Sequence, residues 1–489
     1  MPMVQKRTNS RSKSATNPPD WSALMPVLPG EGPRARALYR AIRQLIEGGR
    51  VPAGAKLPTT RDLAQRLRLS RAAAVAAFEM LGAEGFVEAR TGAGTFVAAR
   101  VPDLSQAVPA TPARPSKKTA RAAPPAAMPQ ACTLGVAVSD ARTLRIFRRL
   151  LSRDLMRPHP DHFHYGDPRG SRALREAVAA YLTAARGVRC HAEEIVLTSG
   201  TQQALDLVAR AALKPGDTAW IEDPGYPMAR AALLGAGAKL AGLPVDASGL
   251  DIAQGPSRPA RLVYVSPSHQ FPLGVTMTMA RRLALIAWAQ RHDAWIIEDD
   301  YDSEFRFAGP PLTALQGMDG GGRVAYLGTF SKVLFPGLRV GYAVLPEPLL
   351  GAVLELRARS DRHPPTVMEN ALATLISEGH FAAHLRRARR TVQTARDTLV
   401  AQLQAHTAAH LAVTVPEQGL HLVAALDHPR RDTEIVTAAE AAGVAVRALS
   451  PMYLDAPARQ GLVLGFSGFS VEALRRAART LGEVLRAEE

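Results

Sequence analysis

The sequence predicts an α/β main domain, a mostly parallel sheet with helices on both faces, preceded by a small helical module that ends in a hairpin. From residue 131 to 489, apolar extended segments alternate with amphipathic helical ones, as they do when helices cover both faces of a parallel sheet. Residues 31–100 read instead as three short helices and a β-hairpin. Residues 101–130 are built of Ala, Pro, Lys, Arg and Thr with almost nothing to bury, and read as a linker, semi-extended where prolines cluster.

A chain of 489 residues is too long for one ordinary domain. No run of about 18 apolar residues occurs, and the first twenty residues are polar and basic, so the expected location is cytoplasmic. Residues 1–30 read as a disordered basic tail, with Trp21 as its one anchor. Only Cys132 and Cys190 are present and no CxxC spacing occurs, so neither a disulfide framework nor a zinc finger is supported. Charge is uneven: residues 1–130 hold 20 Lys and Arg against 8 Asp and Glu, leaving about +4 of the net +16 to the other 359 residues. A basic amino end on a nearly balanced body points to a phosphate-backbone partner for that end alone.

In the small module, Leu38, Ile42, Leu45 and Ile46 recur at helical spacing and stop at Gly48 and Gly49. Thr59, with Asp62 three residues on, resembles a capping box opening a second helix whose inner face is Leu63 and Leu67. Ser70 is the N-cap of a third, with Val75, Phe78 and Leu81 inward and Gly82 and Gly85 near its end. Phe86 to Val97 alternates around Thr-Gly-Ala-Gly and reads as a hairpin. Three helices and a hairpin make a winged helix-turn-helix.

The stretches KLPTTRDLAQRLRLSRAAAV and GFVEARTGAGTFV resemble the GntR family of bacterial regulators across nearly the whole module. The resemblance implies binding to a double-stranded DNA operator. Its DNA-facing residues would be Thr59, Thr60, Arg61, Ser70, Arg71, Arg90, Gly92 and Gly94, the arginines meeting phosphates and base edges and the glycines letting the wing approach the minor groove. Ala72 and Ala73 follow the Ser-Arg pair and offer only apolar contacts, so hydrogen bonding to bases from this helix should be sparse.

In the large module the expected strands are Glu194–Ser199, Thr218–Glu222, Leu262–Ser266, Ala294–Asp299 and Val324–Gly328, with helices such as Gln203–Ala212 and Ala280–Arg291 between them. In open α/β sheets, sites form in the loops at the carboxyl ends of strands, and four such loops carry chemistry here. Ser199, Gly200 and Thr201 sit at a strand-to-helix junction suited to a phosphate. Tyr226, in Glu-Asp-Pro-Gly-Tyr-Pro, can present a stacking ring. In Trp295–Tyr301, strand alternation puts Asp299 and Tyr301 on one face and Glu298 and Asp300 on the other. Finally, Lys332 is framed by Thr329, Ser331 and Arg339. An amine of this kind forms a reversible Schiff base with an aldehyde, and its neighbours can complete a phosphate cup.

Together these segments resemble fold-type I pyridoxal-phosphate enzymes of the aspartate aminotransferase superfamily, a family with a small carboxy-terminal α+β subdomain. The resemblance implies pyridoxal 5'-phosphate as cofactor, with Lys332 as the Schiff-base lysine and Asp299 as partner of the pyridine nitrogen. It further implies Tyr301 at the ring hydroxyl, Tyr226 stacked on the ring, and Ser199, Gly200, Thr201, Thr329, Ser331 and Arg339 around the phosphate. Tyr165, in Tyr-Gly-Asp-Pro-Arg-Gly, matches a tyrosine the family lends to the neighbouring subunit's phosphate, which implies a dimer. The order of the modules, with the stretches YGDPRGSRALREAVAAYL and SPSHQFPLG, is similar to the MocR (GabR-like) subfamily of GntR regulators, usually head-to-tail homodimers.

Two departures qualify the transfer. Phe271 stands where active aminotransferases usually carry an asparagine, and Val463 stands where many place the arginine that clamps a substrate carboxylate. Arg230 and Arg447 are candidate replacements, and His269 is a third candidate effector contact. His159, His162 and His164 lie in a Pro-containing loop without a cysteine, and no metal site is expected. The expectation is therefore a transcriptional regulator that senses a small amine or amino-acid-like effector through Lys332 and acts at promoters used by RNA polymerase, residual transamination aside. The alternatives are an active aminotransferase with an accessory DNA-binding domain, and a regulator that senses pyridoxal phosphate itself.

Overall fold

The computed structural model describes residues 20–21, 23–25, 28, 33–101, 129–138, 140–156, 164–309, 312–320 and 322–487. The backbone divides into two compact units, Met1–Ala123 and Pro124–Glu489. The expected tail and linker fall almost wholly outside the described residues, as do His159 and His162.

In the first unit, α1 (Arg34–Glu47) buries Leu38, Tyr39, Ile42, Leu45 and Ile46, the residues its 3.6-residue period aligns on one stripe. Helix α2 (Thr60–Arg66) is capped by Thr59, whose hydroxyl accepts from the Asp62 N–H at 3.1 Å and donates to the Asp62 carboxylate at 2.7 Å. Helix α3 (Arg71–Ala83) is capped by Ser70, which accepts from the Ala73 N–H. Its inner stripe differs from the expected one. Ala74, Ala77 and Leu81 are buried, Phe78 is half-buried and Val75 is 37% exposed. Leu81 lies inward as expected, but it shares the buried face with Ala74 and Ala77 and not with Val75, so bulk alone misleads the phase at the start of the helix. Strands β1 (Val87–Arg90) and β2 (Gly94–Val97) pair antiparallel from Val87↔Val97 to Arg90↔Gly94. Trp21 anchors the preceding segment by donating its indole N–H to the Lys56 carbonyl at 3.1 Å.

The second unit runs through α4 (Ala141–Met156), α5 (Arg172–Arg186), β3 (Ile195–Thr198), α6 (Thr201–Ala212), β4 (Thr218–Asp223), α7 (Pro227–Gly235), β5 (Lys239–Asp246), β6 (Gly249–Leu250), β7 (Leu262–Val265), α8 (Met279–Arg291) and β8 (Trp295–Asp300). It continues through α9 (Leu315–Met318), β9 (Val324–Thr329), β10 (Gly341–Val344), α10 (Glu347–Ser360), α11 (Glu369–Ser377) and α12 (His380–Thr407). The carboxy-terminal elements are β11 (Leu411–Val413), β12 (His421–Leu426), α13 (Asp432–Ala441), β13 (Arg447–Ala448), β14 (Gly461–Gly465) and α14 (Val471–Arg486).

The central sheet has the order β3-β10-β9-β8-β7-β4-β5-β6, parallel from β9 through β5, with β10 antiparallel to both neighbours and β6 antiparallel to β5. Both faces are buried. Tyr264, Ile297 and Leu327 pack on one side with Leu205, Val208 and Leu233, and Val263, Val265 and Ile296 pack on the other with Leu285 and Ala289. A strand wetted on neither face must be apolar throughout, which is why these segments show no polar alternation until their ends. The ends of β4, β7, β8 and β9 share one edge of the sheet, and the polar residues gather there. A second, four-stranded sheet of order β11-β12-β14-β13 forms the carboxy-terminal subdomain.

Candidate functional site

Asp299 lies next to last in β8 and is 5% exposed. Its parity follows Ile297, so it emerges on the Tyr264 side, and the Tyr264 hydroxyl donates to Asp299 Oδ2 at 2.6 Å. The other oxygen, Oδ1, is buried and accepts nothing. Burial pushes this carboxyl up to about 7, against the opposing pull of the Tyr264 bond. Glu298 and Asp300 face the other way, as alternation requires. Glu298 accepts from the Leu315 and Gln316 N–H groups that open α9, and Asp300 accepts from Arg186 and from the Tyr326 hydroxyl.

Lys332 follows β9. Burial pulls its amine below the usual lysine range, while Asp302 and Asp299 pull it back up. Gly135 lies against the lysine amine, and its φ of +72° is the left-handed conformation that favours glycine there.

An open helix start and an arginine adjoin at the beginning of α6. Gly200, at φ +100°, opens the helix with no side-chain cap, which leaves its first N–H groups open. A Cβ on Gly200 would stand 3.5 Å from the Arg339 guanidinium, so loop and arginine adjoin. Ser331 Oγ is buried and unpartnered, whereas Thr329 Oγ1 accepts the Ser331 N–H at 3.1 Å and holds the loop in shape. The Ser199 N–H is taken by Gln203 Oε1.

Tyr226 and Tyr301 both pack edge-on against Phe271, at 5.5 and 6.4 Å between ring centroids. The Tyr301 hydroxyl is 3.2 Å from His269 Nδ1. His269, expected at an effector, is 2% exposed, with its Nδ1 bound to Asp302 and its Nε2 buried and without a partner.

Val463 is fully buried among Leu449, Met452 and Phe271. Arg230 donates through Nη2 to the Met452 and Tyr453 carbonyls at 3.0 and 3.2 Å, while its Nε is buried and unpartnered. Arg447 pairs with Val463 across β13 and β14 and is exposed. Tyr165 is 76% exposed, with Arg362 stacked 4.4 Å from its ring.

In the first unit Thr59, Arg61, Ser70, Arg71, Arg90, Gly92 and Gly94 are exposed, and Thr60 is half-buried. The Arg90 guanidinium lies 4.6 Å from the Phe96 ring and Lys56 Nζ lies 5.8 Å from it, so one wing residue carries two cations. The sequence reading did not include Lys56, Tyr264 or Asp302. Lys56 is betrayed only by its bridge to Phe96, and the other two only by side-chain partners about 35 residues away.

A family model described as aminotransferase class I and II matches residues 149–481, and one described as bacterial regulatory proteins, gntR family, matches residues 34–97. The chain is 38% identical over 466 residues to a probable rhizopine catabolism regulatory protein, MocR, of Rhizobium meliloti, covering 94% of each. It is 31% identical to the pyridoxine biosynthesis transcriptional regulator PdxR of Corynebacterium glutamicum, over 90% of this chain and 93% of that one. Among solved structures it is similar to the Pyrococcus horikoshii kynurenine aminotransferase in complex with PMP, at TM-score 0.67 and 26% identity, over 74% of this chain and 92% of the other.

Proposed function

The chain belongs to the MocR group of gntR-type regulators with an aminotransferase class I and II domain, and from that premise we propose that it is a DNA-binding transcriptional regulator whose large domain holds pyridoxal 5'-phosphate and responds to a small amine. The observation that carries the reading is the buried, unpartnered Asp299 Oδ1, in a site that also holds the depressed amine of Lys332. A ring N–H satisfies that oxygen, and a phosphate satisfies the open α6 N-terminus and the orphaned Ser331 Oγ. The residues present fit the cofactor. When bound, it supplies an aldehyde that condenses reversibly with primary amines, which makes a primary amine the class of effector.

The chain's own residues then have distinct tasks. Lys332, held less basic by burial, keeps its amine unprotonated more readily and so nucleophilic. Asp299 holds the ring nitrogen's proton. Tyr226 and Phe271 wall the ring, and Ser199, Gly200, Thr201, Thr329, Ser331 and Arg339 hold the phosphate. Arg230, with Nη2 anchored on two carbonyls and Nε open, is the best placed cation for an acidic group on the effector, with Arg447 at the sheet edge as the second. Exposed Tyr165 serves a second copy of the chain in a head-to-tail homodimer. In the small unit Thr59 spends its hydroxyl on the α2 cap, whereas Ser70 only accepts in its cap and keeps a hydrogen to donate, so Ser70, Arg61, Arg71 and Arg90 carry the operator contacts.

The test is the visible absorption of purified protein with pyridoxal phosphate, wild type beside Lys332→Ala, before and after a panel of primary amines. A band in wild type alone, shifted by one amine class that also changes operator affinity, supports the proposal. A band in neither protein overturns it. Cofactor alone changing operator affinity, with no amine doing so, would favour a sensor of pyridoxal phosphate, and steady turnover with a keto acid would favour an enzyme.

A further inference from the structure

We propose that Asp302 and His269 form a positioning pair that turns the hydroxyl hydrogen of Tyr301 toward the cofactor's ring oxygen, an inference that rests on the cofactor reading above. Asp302 is 1% exposed, and its carboxylate receives His269 Nδ1 at 2.9 and 3.1 Å and the Leu420 N–H at 3.2 Å. An ionised carboxylate only accepts, so the imidazole must carry its hydrogen on Nδ1. Tyr301 Oη lies 3.2 Å from that same nitrogen. Since Nδ1 already bears a hydrogen, the tyrosine cannot donate to it. The oxygen is the acceptor of a shared N–H, and its own hydrogen is left for another partner.

Phe271 makes that direction matter. It occupies the position where aminotransferases usually supply an asparagine donor, and a phenyl ring donates nothing, so Tyr301 is left without that helper at the ring oxygen. The second histidine does not compete. His421 lies 4.9 Å from His269 between ring centroids, tilted by 43°, burial pulls its pKa down to about 3, and its Nε2 meets the Pro272 carbonyl at 3.1 Å, so it is neutral with that nitrogen occupied. His269, Asp302 and His421 lie close enough together to suggest a metal site. However, His269 Nδ1 and the Asp302 carboxylate are spent on each other and His421 Nε2 on the Pro272 carbonyl, so that His269 Nε2 is the one of these atoms left without a partner, which favours the positioning role. The other charged groups acting on Tyr301 are Asp299, Asp300 and Glu222 at the strand ends, with Lys332 acting on His421 from the loop after β9.

The experiment titrates the visible band of the full-length protein loaded with pyridoxal phosphate, for wild type, Asp302→Asn, Tyr301→Phe and the double variant. In Asp302→Asn the Leu420 N–H keeps the side-chain oxygen, the new NH₂ faces His269 Nδ1, and the imidazole hydrogen moves to Nε2. Nδ1 then presents a lone pair in place of a hydrogen, Tyr301 competes for it with the new NH₂, and the constraint that turned the tyrosine hydrogen toward the cofactor is gone. A hydrogen bond to the ring oxygen favours the form in which that oxygen is more negative, so its loss raises the pH of the spectral transition. The expected shift is about one unit upward in each single variant and no more in the double. Asp302→Asn titrating like wild type while Tyr301→Phe shifts would overturn the pairing. A merely structural role for Asp302 would lower thermal stability without moving the transition.

A second measurement needs no cofactor. Nitrogen-15 spectra of the unloaded protein, with His269→Gln to assign the signal, should show the hydrogen on Nδ1 in wild type. Finding it on Nε2 would overturn the proposal even if Asp302→Asn failed to fold. No visible band in wild type would instead overturn the cofactor reading, and the pairing with it.

Discussion

The two units of this chain handle charge in opposite ways. In the small unit the core is Leu38, Ile42, Leu63, Leu81 and their neighbours, no carboxyl or basic group is buried among the described residues, and Arg61, Arg71 and Arg90 are exposed. In the large unit Glu222, Glu298, Asp299, Asp300 and Asp302 are all at most 5% exposed, at or just beyond the ends of two strands. Burying a carboxylate is costly unless partners repay it. Glu298 and Asp300 are repaid by N–H groups, an arginine and a tyrosine. Asp299 is repaid on Oδ2 by a tyrosine alone and, like Asp300 and Glu222, keeps one buried oxygen without a partner. The contrast matches the partners: a polyanion is met on the outside by mobile cations, whereas a small molecule enters and must find donors and acceptors already in place.

The sharpest way to break this contrast is Asp299→Ala. If the buried carboxylate holds the cofactor, its loss leaves a buried ring N–H uncompensated, at a cost of about 3 kcal/mol or more, so affinity for pyridoxal phosphate should fall at least about 100-fold. Cofactor-free operator affinity should stay unchanged, because the arginines that make it lie in the other unit. Fluorescence titration of the cofactor and a gel-shift titration of the operator read the two quantities separately. A parallel loss of DNA affinity would mean that the units are not chemically independent.

The converse experiment is smaller in effect. Arg61→Ala and Arg71→Ala should each reduce the slope of log affinity against log salt by about 1, leaving the visible spectrum with pyridoxal phosphate untouched. If either arginine reads a base edge, its loss should also weaken discrimination between operator and random DNA. Ala72 and Ala73, which follow Arg71 on α3, give little reason to expect that from the helix itself.

Where structure follows from the local period, it was legible in the sequence. The five expected strands lie within one or two residues of β3, β4, β7, β8 and β9. The alternation of Glu298, Asp299, Asp300 and Tyr301 could be read because a strand has period two. The caps at Thr59 and Ser70 were legible because a helix start needs an acceptor for its first N–H groups. Contacts across the sheet left no such trace. Tyr264 meets Asp299 and His269 meets Asp302 only because β7 and β8 run side by side, and neither pair stands at a helical or strand spacing. The face of α3 was misjudged for a related reason: a periodicity argument weights bulk, and here alanines face the core while Val75 faces out.

The smallest expected effect separates the units by pH. Burial pushes Glu222, Glu298, Glu304 and Asp299 up to about 7, from ordinary values of 4.5 for the glutamates and 3.8 for the aspartate. Between those limits the folded state holds protons that the unfolded chain has released, so stability is full at acid pH and falls as pH rises through 7. His421 acts in the opposite sense. With its folded pKa near 3, it is outweighed between pH 5 and 6.5, where the unfolded imidazole takes up a proton, and is silent above that. Calorimetry of the cofactor-free chain should therefore show the large unit melting about 3–6 °C lower at pH 8 than at pH 5. The small unit has no buried carboxyl among its described residues and should shift less. Adding pyridoxal phosphate should recover part of the loss at pH 8, because a protonated ring nitrogen gives the ionised Asp299 the partner it lacks. A large unit that melts at the same temperature across this range would mean that its carboxyls titrate as if in water, and the contrast between the two units would fail.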